Sequence, residues 1–127
     1  MHALTTEWIA KVEADLATLG REVRARTRPN YDAACFHAQQ AAEKYLKAIL
    51  QERGATVSRA HNLIALLELV TPHHPALERC RPQLILLDRF AVQYRYPGAS
   101  ADKNEARRAS AAVRDVRSHV RAMLGLA

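Results

Sequence analysis

The chain of 127 residues has only four glycines and two cysteines, and it has no β-branched runs. No stretch approaches the ~20 apolar residues that a membrane span requires. Scarce glycine and missing β-branched runs argue against a sheet protein. Abundant alanine and leucine favour helix instead. Cys35 and Cys80 are far apart and lack metal-ligand spacing, so two reduced thiols are expected rather than a disulfide. The start, MHALTTEW, lacks the basic-then-apolar pattern of a secretory signal. The expected location is therefore the cytoplasm, with no membrane partner. His73 and His74 adjoin prolines with no acidic or cysteine ligand at suitable spacing. They read as a surface loop, and neither a metal nor a cofactor is expected.

About half of the residues are apolar and a quarter charged, which suits one globular domain over 1–127. The formal charge is +6, with arginine far ahead of lysine. That balance suits a nucleic acid, a nucleotide or an acidic protein partner. Arginine adds planar, bidentate contacts to phosphate.

Helical periodicity is the main signal along the chain. A first helix is expected from a Thr5 or Thr6 cap to about Arg26, with Trp8, Ile9, Val12, Leu16, Leu19 and Val23 recurring at helical spacing. A second opens at Asn30, carries Asp32 in its first turn and stops at Gly54. Its apolar face holds Tyr31, Ala34, Ala38, Ala42, Tyr45, Leu46 and Ile49, and its polar face His37, Gln40, Lys44, Lys47 and Gln51. A short helix spans roughly 62–70, ended by Pro72. PHHPALERCRP is irregular or a single turn. A fourth helix is expected over PQLILLDRFAVQY, with Pro82 in its first turn and Pro97 and Gly98 closing it. The last has Asp102 and Glu105 at capping-box spacing, an Ala106, Ala109, Val113, Val116, Val120, Met123 stripe, and Gly125 at its end. The expected fold is all-α: an antiparallel up-and-down bundle of four long helices plus one short helix.

The stretches FHAQQAAEKYLKAILQERG, AHNLIALLELV and LDRFAVQYRYPG, followed by an alanine-rich last helix, resemble the HEPN domain (higher eukaryote and prokaryote nucleotide-binding) over roughly residues 5–124. The resemblance implies a helical bundle and frequent homodimers. It also implies a partnership with a minimal nucleotidyltransferase, in pairs where the HEPN protein acts as toxin and the transferase as antitoxin. Some branches are metal-independent ribonucleases with an Arg, four to six residues, then His. Others are thought to bind nucleotides without cutting.

One string has that ribonuclease spacing, RDVRSH, from Arg114 to His119. Metal-independent RNA cleavage needs a base, an acid and a cation, which His and Arg supply. An i, i+5 pair stands about 140° apart around a helix, however, so these two side chains flank the buried stripe on different sides. Three groups are candidates for ligand binding. His37, Gln40 and Lys44 share a helix face and can form a polar groove or a solvated surface. His61, beside Arg59, either caps the short helix or points into a groove. Arg95 lies between Tyr94 and Tyr96, close in sequence to Lys103, Arg107 and Arg108 at the start of the last helix. It can stack on a base and grip phosphate, or it can be a clamp salt-bridged to Asp88 or Glu43.

Three functions compete at this point. They are a nucleotide- or RNA-phosphate-binding module paired with a minimal nucleotidyltransferase, an endoribonuclease toxin acting as a dimer, and a ligand-free helical dimerisation protein.

Overall fold

The computed structural model describes residues 1–126. The regular elements of the described residues are all helical: α1 Ala3–Arg24, α2 Tyr31–Glu52, α3 Leu63–Val70, α4 Arg81–Asp88 and α5 Lys103–Met123. Two 3₁₀ segments, Pro75–Cys80 and Arg89–Ala91, flank α4. Three helices are long and two are short, so the fourth is shorter than its sequence pattern predicts.

Helix α2 is the centre of the bundle and packs against α1, α3, α4 and α5. Alanines make this possible. Ala34, Ala38, Ala41, Ala42 and Ala48 on α2 and Ala106, Ala109 and Ala112 on α5 are all buried, which lets neighbouring backbones approach closely. Tyr45, Leu46, Ile49 and Leu50 fill the space that the alanines leave, against Leu63, Leu66, Leu67, Leu84 and Leu87.

The helix ends follow local chemistry. The Asn30 side chain accepts from the Ala33 amide and starts α2. Gly54, at φ +72°, stops it: the Gly54 amide donates to Gln51 and the Ala55 amide to Leu50. Gly125 closes α5 by the same pattern, with amides 125 and 126 donating to Ala122 and Arg121.

Two boundaries and one cap differ from expectation, each through a tertiary bond. Helix α1 begins a turn earlier, because the His2 amide is held by Glu52 at the far end of α2 while the His2 carbonyl accepts the Thr6 amide. Thr5 therefore lies inside the helix and is buried. Helix α4 ends at Asp88 because that carboxylate accepts from the Leu63 amide and the Asn62 side chain, bracing the start of α3. The chain then tightens to a 3₁₀ turn and carries Tyr94 to Glu105, so Pro97 and Gly98 end no helix. At α5 only half of the capping box forms. Asp102 accepts from the Glu105 amide, whereas the Glu105 carboxylate accepts from the Tyr94 hydroxyl at 2.6 Å.

Both cysteines are free and buried. Burial pushes the Cys35 thiol up to about 12, with Glu105 and Asp32 adding to it, and pushes Cys80 up to about 11. Neither thiol is expected to react with iodoacetamide at pH 8 until urea unfolds the chain, as mass spectrometry of time points would show. The same shifts set an alkaline limit. The folded chain keeps thiol protons that the unfolded chain releases above pH 9.0. Stability is intact below that pH and falls as the pH rises beyond it.

Candidate functional site

Four cations meet where the end of α1 faces the start of α5. Arg24 and Arg26 come from one side, Lys103 and Arg107 from the other, and they line a cleft of about 650 Å³ with Tyr31 and Pro29. The local folding explains the placement. The chain leaves α1 through Ala25 in extended backbone, turns at Arg28 with φ +49°, and enters α2 behind Pro29. Asp32 then accepts the Ala101 amide at 2.6 Å, fixing the start of α5 against the start of α2. Gly20 leaves open the space into which the Arg24 guanidinium folds, one turn back along α1.

Among the described residues, no carboxylate lies within ion-pair distance of these four cations. The acids adjoining them in sequence serve the backbone instead. Glu22 accepts from the Asn30 amide, Asp32 from Ala101 and Asp102 from Glu105. The α5 N-terminus adds its own positive dipole end. The cleft is thus strongly electropositive, and it carries a tyrosine ring.

A second region lies on the other side of the α2 N-terminus. Arg95 reaches over the Phe36 ring, 5.8 Å from its centroid. The pair separates two clefts. One is lined by Asn30, Asp32, Phe90 and Tyr94, the other by Gln40, Glu43, His61 and Val92. Arg95 forms no ion pair with Asp88 or Glu43, because Asp88 is committed to α3 and Glu43 to Lys47 and His61. Nor does Arg95 stack between tyrosines. Tyr94 turns inward onto Phe90, and burial together with Glu105 pushes its hydroxyl up to about 12. Tyr96 is 71% exposed.

The remaining candidates separate. His37 and Lys44 do share a face, but both are held by Asp15 of α1, at 2.8 Å and 2.6 Å. Asp15 is buried and joins α1 to α2 through both side chains. Gln40 instead donates to Gln39 and faces the Phe36–Arg95 cleft. Asn62, not His61, caps α3, with its side chain accepting from the Ala65 amide. His61 is mostly exposed and bonds Glu43 through Nδ1. Arg108 is exposed and lies outside the basic cleft. Arg114 donates to Ser110, and His119 donates from Nδ1 to the Asp115 carbonyl, so both bond one turn back on α5 and not to each other.

Sequence reasoning missed Arg24, Arg26, Tyr31, Phe36 and Asp15. Two signals were available: the arginine-rich run REVRARTRPN before α2, and an acid at an otherwise apolar register, Asp15 between Val12 and Leu19. Among the described residues, no group of three His, Cys, Asp or Glu side chains is placed to hold a metal ion. No described helix is long and apolar enough to cross a membrane.

The architecture is an all-helical bundle whose central helix is walled by alanine contacts, with a cationic cleft at one end. Residues 5–123 match the HEPN domain, and the chain belongs to that family. Among solved structures, TT1696 from Thermus thermophilus superposes with a TM-score of 0.82. It is 23% identical, and the match covers 94% of this chain and 97% of that one, a likeness of fold. No curated protein sequence matches the chain.

Proposed function

We propose that this HEPN protein binds nucleotide or RNA phosphate in the basic cleft and works beside a minimal nucleotidyltransferase subunit, as one half of a toxin–antitoxin-type pair in which it is itself a dimer. The observation that carries the binding is the set of four cations, Arg24, Arg26, Lys103 and Arg107, with no acid in reach among the described residues and a tyrosine among them. Clustered like charges destabilise a fold unless an anion neutralises them. Exposed guanidinium groups match phosphate oxygens in pairs. Family membership and the basic surface, which suits an acidic protein face as well as RNA, support the partner reading.

Fluorescence anisotropy of a labelled poly(U) oligonucleotide tests the binding. Affinity is expected to fall steeply between 50 and 200 mM salt, with a log–log slope of about −3 if the four cations engage most of their phosphates on a single strand. A flat salt response would remove the basis of the reading. Co-expression with a minimal nucleotidyltransferase tests the partnership, and separate elution of the two proteins would count against it.

A further inference from the structure

The cleft beside Phe36 and Arg95 contains polar chemistry that a helical bundle does not need. Its volume is about 340 Å³, and its floor is a chain of buried hydrogen bonds on α2. Gln40 donates to Gln39 at 2.7 Å, and Gln39 donates to Glu43 and to the His61 carbonyl, both at 3.4 Å. The other Glu43 oxygen receives Lys47 at 3.2 Å and His61 at 3.1 Å. Gln39, Glu43 and Lys47 are at least nine-tenths buried. Burying a carboxylate is costly even when it is paired, and apolar residues would pack this position at no such cost. Here the carboxylate lies at the bottom of an open cleft, with an aromatic ring as one wall and a guanidinium above it.

We propose that this cleft holds a guanine base. The inference rests on the nucleotide-binding reading above and names the base. Phe36 and Arg95 provide the two faces of a stack. Arg95 is exposed and already sits 5.8 Å from the ring centroid, so a modest outward movement opens the roughly 7 Å that an inserted base needs. The edge is read by Glu43. Its Oε1 receives only the long bond from Gln39, and its Oε2 can exchange the bond to the exposed His61 for one from a ligand. A carboxylate is matched by two adjacent N–H donors, and among the four RNA bases only guanine presents them, at N1 and the 2-amino group. The second amide proton of Gln40 is left to donate to guanine O6.

Isothermal titration with GMP, IMP, AMP, CMP and UMP is the test. GMP is expected to bind tightest. IMP, which lacks only the 2-amino group, is expected to bind about tenfold more weakly, through loss of one charge-assisted bond. Arg95→Ala and Phe36→Leu are each expected to weaken GMP about tenfold while leaving the salt-dependent binding of poly(U) intact. Glu43→Gln should level GMP with IMP, and if that variant does not fold, Gln40→Ala should narrow the preference for GMP over AMP, whose 6-amino group cannot accept the Gln40 proton. Equal affinities for GMP and IMP, no GMP binding, or an unchanged GMP affinity in both stacking variants overturns the proposal. Because poly(U) has no guanine, its loss of binding in basic-cleft variants reports the phosphate reading separately.

Discussion

Arg24→Glu combined with Arg107→Glu is expected to weaken RNA binding by two to three orders of magnitude, roughly, at low salt. The two residues sit on opposite walls of one cleft, from α1 and α5, and each reversal replaces an attraction with a repulsion. The loss should be nearly independent of RNA sequence, because phosphates are the contact. The magnitude of the salt slope should fall by about 1.4, roughly 0.7 for each phosphate contact removed on a single strand. Both side chains are exposed and neither forms an ion pair, so the melting temperature is expected to hold or to rise slightly as cation repulsion is relieved. Anisotropy titrations of the same oligonucleotide across salt check the first outcome, and thermal melts check the second. Arg108→Glu is the internal comparison. It changes the net charge as much as Arg107→Glu alone does, but outside the cleft, and should cost much less than that single variant. Equal losses in Arg108→Glu and Arg107→Glu would mean that overall charge, not the cleft, governs binding.

Asp15→Asn is expected to be the most damaging conservative change to stability. The carboxylate is buried, pairs with the Lys44 ammonium and bonds the His37 ring. Removing one partner of a buried ion pair costs about 3–5 kcal/mol when the orphaned charge stays buried. Lys44 retains 23% and His37 30% side-chain exposure, so water recovers part of that loss. A cost of about 2–3 kcal/mol follows, equivalent to a fall of roughly 6–15 °C in Tm for a chain of this size. Lys44→Met added to Asp15→Asn should restore much of it, because the orphaned ammonium is gone and the methionine packs on α1. Calorimetry of the single and double variants decides the matter. A double variant as unstable as the single one would place the loss in packing around Asp15 rather than in charge.

The long helices were legible because their signals are local. Asn30, Asp102, Gly54 and Gly125 act within one turn of the boundary they mark, and the α5 stripe from Ala106 to Val120 is buried as its spacing predicts. The end of α4 was not legible. Periodicity continues to Tyr94, but Asp88 is drawn to α3 and Tyr94 to α5, and no local rule reveals partners so far along the chain. The proposed ligand site was legible in part for the same reason. Lys103 and Arg107 stand out as cations at a helix N-terminus. Their companions Arg24 and Arg26 become neighbours only once α1 and α5 are aligned. Arg95 was noticed for its flanking tyrosines, yet the ring it covers is Phe36, many residues away in sequence. His37 and Lys44 matched the expected face, but the burial of Asp15 opposite them changes what that face does.

The basic cleft draws its walls from near the two ends of the chain. A polypeptide emerging from the ribosome carries Arg24 and Arg26 early, with α1 and α2 able to pair as soon as both are made. The opposing Lys103 and Arg107 arrive last. Until α5 has docked against α2, the cleft is half built and its grip on an anion correspondingly weak. The proposed anion binding therefore requires both walls, and a product truncated before residue 103 would keep much of the arginine charge without the site.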